Sequence, residues 1–492
     1  MTAAEEISIE IEGALLGKRP LCCCGWILCK AVAKCDRFVY NVRDRHLRNI
    51  PINNAGESRM ILTAILAILT FLALTGAILF FPSFRWKNVK IGTYWVVASL
   101  GALSVIAFGL VPVREIWRAL TRDSAINPLK ILVLFFSMTF LSVLLDEVGL
   151  FRYLAKKAAK AAGGSQLLLF VALYCLLSIL TVFTSNDIMI LTLTPFICFF
   201  CKNTKIDPVP FLVSEFAAAN TWSMALIIGN PTNIYLATYA GIGFVEYAKV
   251  MALPTLCAGL SELLLILFLF RKPLKQTMEP CRDDFNIESK PDLVIGVLHL
   301  LVCLVFLAIS DHVGVEMWKV STLCAISLLL WVATIHLIQQ SGWGHLTRSV
   351  KRLPWQLIPF VLSMFIMVIC LQYQGVSQMI GQFFGSDNCI WRYGMASFLT
   401  SNLINNIPMS ILFSTLPSAL AQPQYEQAIY ASIIGSNIGA FLTPIGALAG
   451  IMFTELTDRY DVHYGFRRFI KYGAVIALPT ITVALAVLSA VL

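Results

Sequence analysis

Charged side chains are scarce in this 492-residue chain, in which Asp, Glu, Lys and Arg together make up only 13% of the residues. Soluble domains carry about 25%. Polar sequence of any length is confined to the first 59 residues and to the loop 271–291, which leaves no room for a large soluble enzyme domain. The apolar segments also lack H-E-x-x-H, G-x-S-x-G and phosphate-cradling motifs. We therefore predict that the protein is not an enzyme.

The cysteines do not indicate a metal site, although there are 14 of them. Eight are scattered through the apolar sequence, where Cys usually serves as a small buried hydrophobe, and Cys281 lies in the loop 271–291. The other five lie in the N-terminal arm, where no C-x₂-C pair with partner histidines follows. They are Cys22, Cys23, Cys24, Cys29 and Cys35. We expect no resident cofactor. The net charge of +9 is dispersed over loops, so we expect no nucleic-acid partner.

Long apolar runs dominate what is present, since hydrophobic residues make up 58% of the chain. A helix needs about 20 apolar residues to cross a bilayer. The clearest runs of this kind are 60–82, 92–113, 131–150, 250–270, 293–310, 320–338, 355–373 and 473–492. They predict an all-α polytopic protein embedded in the lipid bilayer, with a multi-pass location in the cell membrane.

The N-terminal arm, residues 1–59, is not a typical secretory signal, because it contains several glutamates and its cysteine-rich stretch is interrupted by lysines. Apolar residues of the segment 26–48 recur with helical spacing, with basic residues elsewhere on the helix. This pattern is typical of a basic amphipathic helix at a membrane surface. A loosely ordered tail is the alternative.

A short polar phrase occurs twice inside apolar sequence. It is Thr184-Ser185-Asn186-Asp187 in the first half and Thr400-Ser401-Asn402, followed by Asn405-Asn406, in the second. A second polar segment broken by Gly and Pro follows each copy. These segments are Gly229-Asn230-Pro231-Thr232-Asn233 and Gly435-Ser436-Asn437 with Thr443-Pro444. Interrupted apolar segments in corresponding positions of two halves indicate the binding site of a transporter.

The two halves share one order of segments: three spans, a polar hairpin, a broken span and a last span. If each hairpin re-enters the membrane on one side, each half crosses five times, and the second half is inverted relative to the first. We therefore predict an arm (1–59), a first repeat (60–270), a linker loop (271–292) and a second repeat (293–492). Loops on one side then hold 21 Lys and Arg residues and loops on the other hold 7. The positive-inside rule assigns the richer side to the cytoplasm, although the basic arm conflicts with it.

The polar residues of the hairpins and broken spans are the candidate substrate- and ion-binding residues. Asp187 is the foremost, because a carboxylate within an apolar segment is costly unless it is paired, hydrated or protonated. Hydroxyl and amide oxygens at a helix break also suit Na⁺, which makes Ser185, Asn186, Ser401 and Asn402 candidate Na⁺ ligands. Ordinary capping of broken helices is the alternative role. The full set is Ser185, Asn186, Asp187, Asn230, Thr232, Asn233, Ser401, Asn402, Asn405, Asn406, Ser436, Asn437 and Thr443, with Glu215 and Asn220 as secondary candidates. Glu262 is interpreted as a partly buried residue beside a helix end.

From about Leu144 to the C-terminus the chain resembles the arsenite/antimonite permease family of the ion transporter superfamily. The matching motifs are Leu144 to Gly149, Asn186-Asp187 with Leu193-Thr194-Pro195, Pro354-Trp355-Gln356, Asn405 to Pro408, and Gly435 to Gly439 leading into Leu442 to Gly446. The segment Gly229 to Asn233 is closer to the divalent-anion/sodium symporters. The resemblance implies two inverted repeats with re-entrant hairpins and a homodimer.

These observations together predict a secondary active transporter that works by alternating access. Its expected substrate is a small anion or oxyanion, arsenite-like, inorganic or carboxylate, as in arsenite permease-like and citrate transporter-like proteins. Asp187 is the expected coupling group, with H⁺ or Na⁺ as the coupling ion. A sodium/proton antiporter is the alternative, since the charge at the repeated phrases is negative. A non-transporting membrane scaffold is the alternative from another functional class.

Overall fold

A computed structural model describes residues 54–81, 83–86, 89–122, 127–278, 287–340, 342–462 and 464–492. The predicted amphipathic helix of the N-terminal arm and the five cysteines of that arm lie outside these residues. Helices form almost all of the described part, as the long apolar runs predict.

Within the described residues, the first half contains ten helices and one β-hairpin. They are α1 (Asn54–Phe80), β1 (Ser83–Trp86), β2 (Val89–Gly92), α2 (Thr93–Ala107), α3 (Val113–Thr121), α4 (Pro128–Glu147), α5 (Leu150–Ala161), α6 (Gln166–Phe183), α7 (Asn186–Thr204), α8 (Val209–Trp222), α9 (Pro231–Ala240) and α10 (Phe244–Leu269). Short 3₁₀ turns occupy Ser223–Ala225, Ile227–Gly229 and Pro273–Lys275.

The second half follows the same order. Its helices are α11 (Lys290–Val313), α12 (Met317–Ile338), α13 (Gly344–Arg352), α14 (Leu357–Tyr373), α15 (Val376–Phe384), α16 (Cys389–Ile404), α17 (Asn406–Phe413), α18 (Gln422–Gly439), α19 (Leu448–Arg459) and α20 (Phe466–Val491), with a 3₁₀ turn at Leu416–Ala419. Helices α6 and α7 form the first hairpin, and α16 and α17 form the second. The first broken span is α8 with α9, and the second is α18 with α19.

Within the described residues, nine helical segments are long and apolar enough to cross a membrane. The predicted fold class, an all-α polytopic membrane protein of two inverted repeats with a hairpin and a broken helix in each, is confirmed. The apolar runs located the spans to within several residues but missed the short polar-faced helices α3, α5, α13 and α15. The antiparallel pair β1 and β2 was also not predicted. Its four-residue strands carry too little sequence for a periodic pattern.

The two repeats pack crosswise at their broken elements. The second arm of the first hairpin, α7, packs against α19 of the second broken span, and α17 of the second hairpin packs against α9 of the first. Phe216 of α8 and Phe453 of α19 meet with ring centroids 4.8 Å apart. The hairpin of each repeat therefore also contacts the broken span of the other repeat.

Candidate functional site

The first hairpin turns at Thr184 and Ser185, between α6 and α7. Ser185 is the N-cap of α7 in an extended conformation (φ −150°, ψ 144°), and Asn186 and Asp187 form the first turn. Ser and Asn favour such positions because their short polar side chains compete with the helical hydrogen-bond ladder. The positive end of the α7 dipole therefore lies at this tip.

Two side-chain oxygens at the tip of the first hairpin are buried without a hydrogen-bond partner. Asn186 Nδ2 donates to Asn220 Oδ1 of α8 at 3.1 Å, whereas Asn186 Oδ1 and the neighbouring Ser185 Oγ have no partner. Buried polar atoms are usually satisfied, and a bound ion or water is one way in which such atoms gain a partner. The secondary candidate Asn220 thus belongs to the same cluster as Asn186.

Asp187 faces a cavity of about 280 Å³. Its carboxylate makes no hydrogen bond or salt bridge to the described residues, and its side chain is only half-buried. Leu448, the first residue of α19, also lines the cavity, which therefore lies at the N-termini of both α7 and α19. Other polar side chains of the wall are Ser83, Tyr94, Thr139, Ser185, Arg352, Gln356 and Glu455. The Arg352 side chain is 32% exposed and that of Glu455 is 45% exposed, so the cavity opens to the surface beside them.

The first broken span is interrupted at residues 223–230. Asn230 caps α9 by accepting from the Thr232 backbone N–H at 3.1 Å, and Pro231 occupies the first helical position, where its missing N–H costs nothing. Gly229 is required by a close approach, because a Cβ there would lie 2.2 Å from the Ser223 carbonyl oxygen. This sequence therefore ends one helix and starts another within the apolar region.

Asn437 of α18 joins the two repeats. Its Oδ1 accepts from Ser223 Oγ and from Asn230 Nδ2, both at 2.9 Å. Its Nδ2 donates to Asn233 Oδ1 at 2.7 Å and to the Ile433 carbonyl at 2.8 Å. All these side chains are fully buried. The structure thus brings three of the predicted site residues, Asn230, Asn233 and Asn437, into one satisfied network, in which Thr232 also bonds Asn230 at 3.1 Å.

The second hairpin breaks three residues later than the repeated phrase predicts. Ser401 and Asn402 lie in the last turn of α16, and the break falls at Asn405, which has a left-handed φ of 72°. The prediction that Ser401 and Asn402 occupy the break is therefore wrong. Asparagine is among the few residues that tolerate this φ, and Asn405 also caps α17 through the Ile407 N–H at 3.3 Å.

The second hairpin is tied to the second broken span by amide hydrogen bonds. Asn402 Nδ2 donates to the Gly439 carbonyl at 3.0 Å, and Asn402 Oδ1 accepts from Thr443 Oγ1 at 2.7 Å. Asn405 Nδ2 donates to the Ile445 carbonyl at 2.9 Å, and the Asn406 backbone N–H donates to the Gly446 carbonyl at 3.0 Å. Ser401 Oγ donates within its own helix. Ser436 Oγ is buried without a partner.

The two predicted Na⁺ pairs therefore differ. Ser185 and Asn186 present two unpartnered oxygens, whereas the oxygens of Ser401 and Asn402 already take part in hydrogen bonds. Oxygen donors of this kind suit an alkali cation, and among the described residues no cluster of three or more His, Cys, Asp or Glu could hold another metal. The first hairpin is thus the better candidate for a cation.

Two further carboxylates are buried away from the cavity. Glu215 of α8 accepts from Thr194 Oγ1 at 2.9 Å, and Glu262 of α10 contacts Thr221 and Tyr174. The interpretation of Glu262 as a partly buried residue beside a helix end is wrong, since it is fully buried well inside α10. One acidic residue in an apolar run gives no sign of which neighbours surround it.

Sequence reasoning also missed Arg352. It ends α13, contributes to the cavity wall, and bonds Asp146 Oδ2 and Glu147 Oε1, each at 2.7 Å. Its position just before an apolar run made it resemble an ordinary flanking charge. The acidic pair Asp146-Glu147 at the end of α4 was the available signal, since two buried carboxylates need a cation.

Comparison with known families decides the class of protein. A family model described as "Citrate transporter" matches residues 86–435. The chain belongs to the citrate transporter family. The matched segment contains the first repeat from the end of β1 onward, both hairpins and most of α18, the first helix of the second broken span. The predicted transport function and the predicted multi-pass membrane location are thereby confirmed at the level of this family.

Individual relatives cover most of this citrate transporter family member. The arsenical pump membrane protein of Escherichia coli is 27% identical over 425 residues, 82% of this chain and 95% of that protein. An uncharacterized transporter of Mycobacterium tuberculosis is 26% identical and covers 79% of this chain and 91% of its own length. The crystal structure of the Alcanivorax borkumensis YdaH transporter covers 88% of this chain and 98% of that chain, with a TM-score of 0.49 and 13% identity.

Proposed function

We propose that this protein is a secondary active transporter that binds a small oxyanion or carboxylate in the cavity beside Asp187. The observation that supports this most directly is the position of the cavity at the N-termini of α7 and α19. Each N-terminus carries a partial positive charge and free backbone N–H groups, which favour an anion. Within the described residues, the only basic side chain of the cavity wall is Arg352, which is held by Asp146 and Glu147.

Coupling follows from the charge of Asp187. An anion and an ionised carboxylate within one cavity of about 280 Å³ repel each other strongly. The anion therefore binds only when Asp187 carries a proton or is neutralised by a cation. A Na⁺ ion held by Ser185 Oγ and Asn186 Oδ1, next to Asp187, would serve this purpose. Substrate and coupling ion then move together.

The same charge argument narrows the substrate. With Asp187 and Glu455 on the wall and Arg352 already paired, a trivalent anion would meet more negative than positive charge. A singly charged oxyanion, or a weak acid that enters with its proton, fits better. Arsenite, which is mainly the uncharged arsenous acid at neutral pH, meets this requirement, as does a monocarboxylate or a partly protonated di- or tricarboxylate.

The cavity opens beside Ser83, Gly92, Arg352, Gln356 and Glu455. These lie on the side that holds 21 of the loop Lys and Arg residues, which the positive-inside rule assigns to the cytoplasm. The conformation is then inward-facing. Alternating access would move the hairpins and broken spans relative to α1, α2, α4, α11, α12 and α14, which we propose as the scaffold. The predicted homodimer stays a prediction.

The test is uptake into proteoliposomes of radiolabelled arsenite and citrate, with an imposed H⁺ gradient, an imposed Na⁺ gradient or neither. We expect uptake of at least one substrate under one gradient and loss of gradient-driven uptake in Asp187→Asn. The matched control is Asp207→Asn, which should transport normally. Asp207 is an acidic loop residue that accepts a hydrogen bond from the Val209 backbone N–H at the start of α8. Unchanged gradient-driven uptake in Asp187→Asn would refute the coupling role.

The sodium/proton antiporter is the second candidate, because Asp187 has no basic partner among the described residues and could bind a cation alone. A Na⁺ gradient that moves protons in the absence of any anion would favour it. If neither substrate uptake nor ion exchange is detected under any gradient, the transport proposal fails. The result then favours the alternative of a non-transporting membrane scaffold.

A further inference from the structure

The buried carboxylate of Glu262 is a feature that the proposed transport site does not use. It lies within α10 and is fully buried. The groups that face it are Tyr174 of α6 and Thr221 of α8, and no Lys, Arg or His of the described residues pairs with it. An ionised carboxylate in such an apolar place costs several kcal/mol. The hydrogen bonds around it show how this cost is avoided.

Tyr174 has one hydroxyl hydrogen, and two oxygens lie within hydrogen-bond distance of it. The Gly259 carbonyl oxygen is 2.7 Å from the hydroxyl and Glu262 Oε1 is 3.2 Å from it, so the shorter contact assigns the hydrogen to Gly259. The Trp222 Nε1–H donates to the same hydroxyl oxygen at 3.2 Å. The remaining contact, 3.2 Å to Glu262 Oε1, is satisfied when Glu262 is the donor. A carboxylate can donate only in its protonated form.

The other oxygen of Glu262 completes the scheme. Thr221 Oγ1 donates a hydrogen bond to Oε2, which acts as the carbonyl oxygen of a neutral carboxylic acid. Every donor and acceptor of the group then has a partner: Thr221 donates to Glu262, Glu262 to Tyr174, and Tyr174 to Gly259. The network links the first arm of the hairpin, the broken span and α10.

Glu215 is a second buried acid close to the hydrogen-bond network of Glu262. A cavity of about 10 Å³, room for one water molecule, lies between α6, α7 and α8 and is lined by both Glu215 and Tyr174. Glu215 Oε1 accepts from Thr194, and Oε2 has no partner. Cys198 of α7 is the other titratable side chain that interacts with Glu215. A second buried acid therefore lies across a water-sized space from the first network.

We propose that Glu262 and Glu215 form a second proton-binding site, separate from Asp187, that exchanges protons with water during the transport cycle. Thr221 is adjacent to Asn220, which bonds Asn186 at the hairpin tip, so movement of the tip changes the surroundings of Glu262. Loss of the proton converts the carboxylic acid to a carboxylate and delivers one H⁺ to water. The exchange step rests on the proposed function, whereas the protonated state of Glu262 does not.

Glu262→Gln is the informative variant, because its amide can donate to Tyr174 and accept from Thr221 as the acid does. In the purified protein, we expect the infrared C=O band of a protonated carboxylic acid, and we expect part of it to disappear in Glu262→Gln. In proteoliposomes, net proton-driven uptake should fall to background, while exchange of internal for external substrate should be retained. Glu246→Gln, an exposed acid on the same helix, should change neither measurement.

The outcomes separate the two proposals. A carboxylic-acid band that is identical in Glu262→Gln would overturn the protonated state of Glu262. Loss of the band with normal proton-driven uptake would make Glu262 a structural acid and overturn the exchange. If part of the band is lost in Glu262→Gln but the wild-type protein moves no substrate or ion, the result counts against the proposed function. The proton on Glu262 is then still established. Glu215→Gln, measured in the same way, should also lower net uptake and spare exchange.

Discussion

Asn437 of the second repeat donates a hydrogen bond to Asn233 of the first, with 2.7 Å between Nδ2 and Oδ1. These residues are 204 positions apart in the chain, and both side chains are fully buried. Because Asn437 also accepts from Ser223 and Asn230, one amide fixes the relative position of the two broken spans. Its role in this conformation is to join the repeats, and the cavity lies elsewhere, at Ser185 and Asp187.

The first prediction concerns this amide. Asn437→Ala leaves the Asn230 amide without its acceptor in a buried environment, so we expect a loss of about 2 to 4 kcal/mol of stability. Thermal unfolding of the detergent-purified protein, followed by tryptophan fluorescence, measures it as a lower midpoint. Ser436→Ala is the control, since the neighbouring Ser436 hydroxyl has no partner. Equal midpoints for the two variants would show that the network contributes nothing.

Sequence reasoning was successful for features that repeat along the chain. Long apolar runs predicted the spans because a helix that faces lipid must be apolar over its whole length. The repeated polar phrases predicted where helices break, and Asn186 and Asn230 lie at such breaks. The position of the second break was wrong because Ser401 and Asn402 are compatible with a last helical turn, and the left-handed Asn405 ends it.

Contacts between distant segments could not be predicted. In the structure, the Asn437 side chain is fully hydrogen-bonded within the protein, whereas Asp187 faces a cavity. The sequence does not show this difference, since both are polar residues in apolar segments. The partners of Glu262 and Arg352 likewise come from helices far apart in the chain. Which polar residue serves the fold and which faces a ligand depends on packing, and packing appears only in three dimensions.

The second prediction concerns Arg352. Arg352→Gln removes the cation that bonds Asp146 and Glu147, both nearly buried. Glu147 keeps its pair with Arg348 at 2.7 Å, whereas the Asp146 carboxylate loses its cation. Breaking a buried pair costs about 3 to 5 kcal/mol; Arg352 is a third exposed, so we expect about 2 to 4 kcal/mol. Arg459→Gln, which breaks an exposed pair with Glu455, should cost much less. The same unfolding assay compares them, and an equal loss in both would contradict the role of Arg352.

The third prediction concerns the contact between the second hairpin and the second broken span. A Cβ at Gly435 would lie 2.2 Å from the Gly394 carbonyl oxygen and 2.0 Å from Ser397 Oγ. Since backbone cannot yield as a side chain can, we expect Gly435→Ala to separate α16 from α18 and to cost about 2 kcal/mol or more. Gly76→Ala, in a helix where nothing lies within 4 Å of the added methyl, should be neutral. A cysteine pair across α16 and α18 that crosslinks equally well in both variants would refute the separation.

The last prediction concerns pH and the loop before α12. Lys130 and Lys319 hold the pKa of Glu316 well below its usual range, at about 2; the contact with Lys319 is 2.8 Å. A carboxylate whose pKa is lowered in the folded state stabilises the protein above its unfolded pKa, here about 4.5, and this contribution is lost as the pH falls toward 2. Because Glu316 is 37% exposed, solvent and salt weaken the pair, and Glu316→Gln should cost less than about 1 kcal/mol at neutral pH. The difference in unfolding midpoint between wild type and Glu316→Gln should stay constant from pH 7 to about pH 5, shrink at lower pH, and also shrink at high salt. A difference that grows as the pH falls would have the wrong sign for this ion pair.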